Sequence, residues 1–238
     1  MKINHMKNFQ VFHTYEESNC PYFKDFRVCK AEIYLYDESV LFDAYSLLLS
    51  EGFRRIKNFF YRNSCPDCSE CRPLRIDIKN FKPDKSLRRI LKKNQDIKIE
   101  LKKSEIDFKN FFLYQKYIAE IHKRKLRPSD LISEFECIHT GYPSIIQMNY
   151  YAGESLVGVG IVDETLDALS SVYFYYDPDV RKRGLGFFSI MKEIELAKEM
   201  NKSYLYLGYY IKDVIKMNYK IRFKPYEIFD GEKWVKYF

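Results

Sequence analysis

The chain has 238 residues, 46% of them apolar and 31% charged, so it is long enough for one large or two modest domains with a packed interior. This composition excludes a disordered polyelectrolyte, and a content of 9 Gly and 8 Pro excludes collagen-like and linker-rich proteins. No apolar run reaches the roughly 18 residues of a membrane helix, and the first residues resemble no signal peptide. We therefore expect a soluble, cytoplasmic protein with no membrane partner.

The positive charge is concentrated in one segment. The formal net charge is +7, yet residues 72–103 alone carry twelve basic and four acidic residues, a net +8, and the rest of the chain sums to −1. A basic block of this kind either binds phosphate, as in nucleic acids, or forms a solvated helix face.

The N-terminal part reads as short elements around cysteines. Residues 31–36 are typical of a strand, and residues 41–50 of a helix that stops before Gly52. Ser86 is the expected N-cap of a basic amphipathic helix. Four basic residues of that helix lie off its apolar stripe and are left for solvent or for a ligand: Arg88, Arg89, Lys92 and Lys93.

The C-terminal part alternates helices and strands. We expect a helix from about residue 107 to 125 that Pro128 ends, and a third helix closed by Gly141. Three antiparallel strands then form a meander, at 144–152, 155–163 and 168–176. They are followed by the turn RKRGLG (181–186), a helix (187–200) and a strand (204–210), and then by a short helix (211–220) and a closing hairpin (226–238). This order predicts an α+β fold with domains at 1–96 and 97–238.

The turn RKRGLG lies between a strand and a helix. Backbone N–H groups and a helix N-terminus can bind an anion there, and Gly184 and Gly186 would let a ligand approach closely. The order of elements around the turn resembles the GNAT acyltransferase fold, whose members bind the pyrophosphate of acyl-CoA at this turn. The alternative is an ordinary tight turn.

Three cysteines stand at two-residue spacing: Cys65, Cys68 and Cys71. This spacing suits zinc or an iron–sulfur cluster, with Cys20 as a fourth ligand, but packed reduced thiols explain it as simply. Tyr209 and Tyr210 follow Gly208 at the end of the last long strand, where ligands tend to bind; packing at the edge of the domain is the alternative.

Several longer segments resemble the aminoacyl-tRNA protein transferases, which comprise the bacterial aspartate/glutamate leucyltransferases and the arginyltransferases. The resemblance runs from about Cys20 to Ile228 with the segments in family order: GFRR (52–55), FYRNSCPDCSEC (60–71), RPLRI (72–76), KPDKSLRRILKKNQD (82–96), YYDP (175–178), LGYYI (207–211) and KMNYKIRFKPYEI (216–228).

The resemblance implies transfer of leucine from Leu-tRNA to the N-terminal α-amine of proteins that begin with Asp or Glu, which marks them for degradation in the N-degron pathway. It also implies a GNAT-like C-terminal domain adapted to the tRNA 3′ end. We choose leucine because the compact length and the C-P-x-C-x-x-C form resemble the bacterial leucyl branch; arginine from Arg-tRNA is the alternative donor. We expect no cofactor for the chemistry, besides a structural zinc or cluster.

With the resemblance, the candidate site residues fall into four groups. The candidates for tRNA phosphate are the basic residues of the amphipathic helix, Arg88, Arg89, Lys92 and Lys93. Tyr209 and Tyr210 are candidate proton shuttles or hydrogen-bond donors. The candidates for the tRNA 3′ end are Arg181, Gly184, Gly186 and Lys216, and those for the acidic side chain of the acceptor are Arg54, Arg55 and Arg75. Since a terminal α-amine has a pKa near 7.7 to 8.0, a strong base is not required.

Two further functions compete with this interpretation. An acyl-CoA dependent N-acetyltransferase would share the fold but bind free CoA and need no RNA. A non-catalytic RNA-binding protein would explain the basic segment and the cysteines, but neither RKRGLG nor LGYY.

Overall fold

The computed structural model describes residues 12–25, 27–35 and 41–238, and it contains two β-sheets. The smaller sheet is antiparallel and consists of four strands: β1 (Phe12–Asn19), β2 (Val28–Leu35), β3 (Arg54–Ile56) and β4 (Phe59–Asn63). Their order across the sheet is β1-β2-β4-β3. The strand expected at 31–36 is therefore confirmed within β2, apart from residue 36, which lies outside the described residues.

The larger sheet has eight strands: β5 (Arg72–Asp77), β6 (Ile97–Lys103), β7 (Ile145–Ala152), β8 (Ser155–Glu164), β9 (Ala168–Tyr176), β10 (Tyr204–Tyr210), β11 (Tyr226–Phe229) and β12 (Trp234–Tyr237). Their order is β12-β11-β5-β10-β9-β8-β7-β6. The predicted meander of β7, β8 and β9 and the final hairpin are confirmed. Strand β5 lies between β10 and β11, so the sheet combines residues from both sides of the expected boundary at residue 96.

The neighbours β9 and β10 run parallel but pair over three residues only, Tyr204 to Tyr206 against Ala168 to Ser170. Beyond them β10 has a β-bulge between Tyr206 and Gly208 in its pairing with β5, and Gly208 has a φ of 76°. A bulge bends its strand, so the two strands part and leave a gap in the middle of the sheet. The α+β fold expected from the sequence is confirmed, and the order of elements that resembles the GNAT fold, three strands, the glycine turn, a helix and a strand, is present.

Six α-helices are present in the described residues: α1 (Leu41–Ser50), α2 (Lys85–Lys93), α3 (Phe108–Glu120), α4 (Pro128–His139), α5 (Leu185–Glu199) and α6 (Ile215–Asn218). Two 3-10 turns lie at Pro178–Arg183 and Tyr219–Arg222. None of these helices is long and apolar enough to cross a membrane.

Two expectations about helix ends are wrong. The N-cap of α2 is Asp84, whose side chain accepts a hydrogen bond from the N–H of Leu87 at 2.7 Å, and not Ser86. Pro128 does not end the second helix, because α3 already stops at Glu120, and Pro128 is instead the first residue of α4. Proline suits a first helical position because the N–H it lacks would have no partner there.

Each face of the large sheet is covered by helices. One core contains Leu87 of α2 and Ile194 of α5, packed on strand residues such as Leu205. The other core contains Tyr45, Tyr114 and Phe135, which belong to α1, α3 and α4. The gap between β9 and β10 lies between these two cores and opens beside the small sheet.

Candidate active site

A cavity of about 690 Å³ occupies the place where β9 and β10 part. Ser171 to Phe174 of β9 and Leu207 to Tyr209 of β10 form two of its walls. The start of α5, the end of α3 and the segment from α6 to the last 3-10 turn form the others, and the small sheet contributes Arg54 and Tyr61. The cavity therefore draws residues from almost the whole chain.

The glycine turn forms one side of this cavity. Gly184, Leu185 and Gly186 line it, and they form the start of α5, where a helix leaves N–H groups without partners in the helix. Gly184 has a φ of 72°, which a residue with a side chain rarely adopts. A Cβ on Gly186 would meet nothing within 4 Å. Arg181 and Lys216, both exposed, also line the cavity, so the structure brings together all four residues predicted for the tRNA 3′ end.

The basic helix α2 is joined directly to this turn. Lys93 Nζ donates to the carbonyl of Lys182, and Asn94 exchanges two hydrogen bonds with Arg183, at 2.9 and 3.0 Å. The four basic residues expected to be off the core face are all exposed: Arg88, Arg89, Lys92 and Lys93. The exposed basic residues of α2 are therefore held next to the turn that lines the cavity.

The two candidate tyrosines lie apart. Tyr209 lines the cavity, and its hydroxyl oxygen accepts the N–H of Asn63 at 3.1 Å, which leaves its own O–H free to donate. Burial raises the pKa of Tyr209 well above its usual value, so this group is a hydrogen-bond donor rather than a base. Tyr210 points to the other side of the strand, where it joins the core and lies against Arg72.

Of the three arginines predicted for the acceptor, only Arg54 lies at the cavity. It is 8% exposed, and its Nη1 and Nη2 donate to Ser170 Oγ and to the carbonyl of Ser171 at 2.9 and 2.7 Å. A Cβ on Gly208 would lie 3.2 Å from Arg54 Nε. The glycine of LGYYI thus makes room for this guanidinium group.

Arg55 and Arg75 do not line the cavity, so of the three candidates the structure brings only Arg54 to it. Arg55 forms a two-point ion pair with Asp163 in the core, at 2.7 and 2.8 Å. Arg75 pairs with Glu227 at 2.7 Å and stacks on Trp234, 4.2 Å from its ring centre. Alternation along β3 explains the difference between Arg54 and Arg55, since consecutive side chains point to opposite faces, whereas Arg75 belongs to β5 of the other sheet.

Two buried charged residues of the cavity wall were not predicted, Glu193 and Lys220. Burial, followed by the positive charge of Arg54, lowers the pKa of Lys220 to about 7, and Lys220 donates to the carbonyl of Tyr209. Burial also raises the pKa of Glu193 to about 7, against the opposing effects of Ser189, Ser171 and Arg54. One signal was available in the sequence: Glu193 shares the apolar face of α5 with Ile190 and Ala197.

The cysteines lie near the small sheet and are all partly buried. Arg27 Nη1 donates to Cys68 Sγ at 3.2 Å, and burial raises the pKa of the Cys71 thiol to about 11. Within the ranges that the structure describes, no three Cys, His, Asp or Glu side chains come together as a metal-holding group. A zinc or cluster on Cys20, Cys65, Cys68 and Cys71 stays a prediction, which elemental analysis of anaerobically purified protein would check.

Comparison with solved structures bears on the fold. The chain superposes on L-PGS from Bacillus licheniformis with a TM-score of 0.50 and 10% identity, over 89% of this chain and 83% of that one. At this identity the likeness concerns the architecture alone.

Comparison with known sequences identifies the family. Residues 18–89 match the N-terminal model and residues 109–230 the C-terminal model of arginine-tRNA-protein transferase. The aspartate/glutamate leucyltransferase of Campylobacter jejuni is 35% identical to this chain, over 91% of this chain and 92% of that protein. The aspartate/glutamate leucyltransferase of Nitrosococcus oceani is 37% identical to it, over 80% of this chain and 81% of that protein. The chain therefore belongs to the arginine-tRNA-protein transferase family, which is the family that its sequence segments resemble.

Proposed function

We propose that this protein transfers leucine from Leu-tRNA to the N-terminal α-amine of proteins that begin with Asp or Glu. The observation that carries the proposal is the cavity between β9 and β10, which has a helix N-terminus and a basic helix on one side and a buried arginine at its floor. The aspartate/glutamate leucyltransferases that resemble this chain support the same reaction.

The tRNA would approach over α2. Its exposed Arg88, Arg89, Lys92 and Lys93 suit phosphates of the acceptor stem, and Arg181, Lys216 and the first N–H groups of α5 suit the last phosphates before the 3′ end. The hydrogen bonds between Asn94 and Arg183 hold these two surfaces in a fixed relation. The aminoacyl ester would then lie inside the cavity.

The lining of the cavity favours leucine over arginine as the donated residue. Its apolar members include Val172, Phe174, Ile190 and Leu207, whereas Glu193 is the one acidic residue among the described lining residues. An arginine side chain would need accessible carboxylates to pair with its guanidinium group. Four basic residues line the same cavity and outnumber this one carboxylate, so an apolar side chain suits the cavity better: Arg54, Arg181, Lys216 and Lys220.

The acceptor's acidic side chain would bind at Arg54. The guanidinium group has five N–H donors and donates two hydrogen bonds to Ser170 and Ser171, so it retains donors for a carboxylate. Lys220, another basic residue, lies in the same wall. Of the three arginines predicted for the acceptor, this assignment therefore uses Arg54 and not Arg55 or Arg75.

Much of the rate can come from positioning the two substrates. The α-amine nitrogen attacks the carbonyl carbon of the leucyl ester, a C–N bond forms, and the bond to the ribose oxygen of the tRNA breaks. Holding the two groups together lowers the barrier, and a donor on the developing oxyanion lowers it further. Tyr209, whose O–H is free to donate, is the candidate for that donor.

The test is to incubate the protein with radiolabelled Leu-tRNA or Arg-tRNA and peptides beginning with Asp, Glu, Asn or Gln. We expect leucine on the Asp and Glu peptides, and transfer to the amides about tenfold to a hundredfold slower, since they lose a charge-assisted pair worth roughly 1.5 to 3 kcal/mol. Transfer from Arg-tRNA alone would establish the arginyl alternative. Acetylation by acetyl-CoA without RNA, or tRNA binding without any transfer, would contradict the proposal.

A further inference from the structure

Glu193 is a carboxylate in an unusual position. It lies on α5 in the wall of the cavity, its residue exposure is 0%, and no ion pair with it is present among the described residues. Burying a carboxylate is costly, and such a group is normally paired or hydrogen-bonded at both oxygens.

The two oxygens of this carboxylate differ. Oε1 accepts a hydrogen bond from Ser189 Oγ at 2.9 Å, and Ser189 in turn lies 3.4 Å from the hydroxyl of Tyr150 in the core. Oε2 is buried and makes no hydrogen bond of ordinary geometry within the described residues, and the Ser171 hydroxyl of the cavity wall lies close enough to the carboxylate to lower its pKa. The core therefore anchors one oxygen and leaves the other without such a hydrogen bond beside the cavity. A buried acceptor without a partner is destabilising, and a bound donor would remove that cost.

The proposed acceptor supplies such a donor. A protein that begins with Asp or Glu presents an α-ammonium group and a carboxylate a few bonds apart, and the cavity wall carries the complementary pair, Glu193 and Arg54. We propose that Oε2 of Glu193 receives the proton that the acceptor's α-ammonium group must lose before its nitrogen attacks the leucyl ester. This inference rests on the transfer reaction proposed above.

The proton balance is simple. The α-ammonium group gives one proton to Glu193, and the neutral nitrogen forms a bond to the ester carbon. The bond from that carbon to the ribose oxygen breaks, and the second proton leaving the nitrogen goes to this oxygen. Glu193 then gives its proton to water, so one proton is released for each leucine transferred.

The surroundings of Glu193 suit this role. Burial raises its pKa to about 7, while Ser189, Ser171 and Arg54 act in the opposite direction, and Tyr219 and Tyr150 are the other titratable groups next to it. A base works best when its pKa is near the working pH. Lys220, in the same wall, has its own pKa lowered to about 7 and so carries only part of a charge there.

The experiment is a single-turnover measurement from pH 7 to pH 9 with Leu-tRNA and an Asp peptide. Glu193→Gln should slow transfer about 100-fold at pH 7, a typical effect of losing a general base. The ratio of the wild-type rate to the variant rate should fall about tenfold by pH 9, because the free α-amine, with a pKa near 7.7 to 8.0, then loses its proton to water. Glu193→Asp should be slow but keep the pH profile of the wild type.

The matched control is Glu195→Gln on the same helix, where the carboxylate pairs with Lys192 near the surface; its rate should stay within about twofold. tRNA binding by Glu193→Gln should also be unchanged. A deficit that is equal at pH 7 and pH 9, or absent at both, would overturn the inference. The inference would also be overturned if the wild type preferred Arg-tRNA and Glu193→Gln abolished that preference, because Glu193 would then bind the side chain of the donated arginine. If the wild type transfers nothing, the proposed function itself fails.

Discussion

Arg54 and Arg55 are consecutive residues of β3, and both are buried, yet they lie in opposite kinds of environment. Arg55 donates to both oxygens of Asp163 and to the carbonyls of Lys57 and Thr140, so its hydrogen bonds are made inside the protein. Arg54 donates two and faces a cavity. The comparison shows that burial alone does not distinguish a structural arginine from one able to bind a ligand; the number of unused donors does.

The largest effect should come from breaking the buried ion pair between Arg55 and Asp163. Asp163→Asn leaves the charge of Arg55 buried and unpaired and also changes the hydrogen bond from Tyr45. Removing one partner of a buried ion pair typically costs about 3 to 5 kcal/mol. We expect the free energy of unfolding, measured with urea, to fall by that amount. The control is Asp130→Asn in the exposed pair with Arg127, which should cost less than about 1 kcal/mol. Equal losses in both variants would remove the distinction.

A smaller effect, on activity rather than stability, should follow from Arg54→Lys. Lysine keeps the positive charge but cannot form the two parallel hydrogen bonds that arginine makes with a carboxylate. We expect kcat/KM for an Asp peptide to fall about tenfold to a hundredfold, and the preference for Asp over Asn to fall with it. If the ratio between these two peptides does not change, Arg54 does not bind the acidic side chain.

Gly208→Ala tests how Arg54 is placed. The new Cβ would lie 3.2 Å from Arg54 Nε at a φ of 76°, and an L-residue in that backbone region costs about 1 to 2 kcal/mol. Gly153→Ala is the control, because Gly153 has a φ of 59° and its Cβ would meet nothing within 4 Å. We expect similar losses of stability in urea and a fall of transfer activity in Gly208→Ala only. Full activity in that variant would show that the position of the guanidinium group is not critical.

The last effect concerns the pH dependence of stability, to which Lys220 should contribute. Because its pKa is lowered to about 7 in the folded protein, the unfolded chain binds more protons between about pH 7 and pH 10. Stability should therefore rise with pH in this window, with a slope of up to about 1.4 kcal/mol per pH unit from this residue. Lys220→Met should remove that rise between pH 7 and pH 9, whereas Lys216→Met, at an exposed position, should keep it. The same slope in both variants would assign the effect to other groups.

Periodicity and sequence motifs are enough to predict the local elements and the family. The meander, β10 and α1 follow from periodicity and turn residues over short stretches, and the segments from GFRR to KMNYKIRFKPYEI identify the transferase family. The exposure of the basic face of α2 followed from its helical spacing in the same way.

Only the tertiary structure decided which of these residues meet. Periodicity places Arg54 and Arg55 on opposite faces of a strand, but the packing of β3 decides which face meets the cavity and which meets Asp163. Tyr209 and Tyr210 were separated by the same rule. Glu193 was not predicted, because a charged residue on an apolar helix face indicates a site only where it lines a cavity. This cavity exists because β9 and β10 part, which the sequence does not show. The physical reason is that a site depends on long-range packing and on which donors stay unpaired, and neither is a property of a short stretch of sequence.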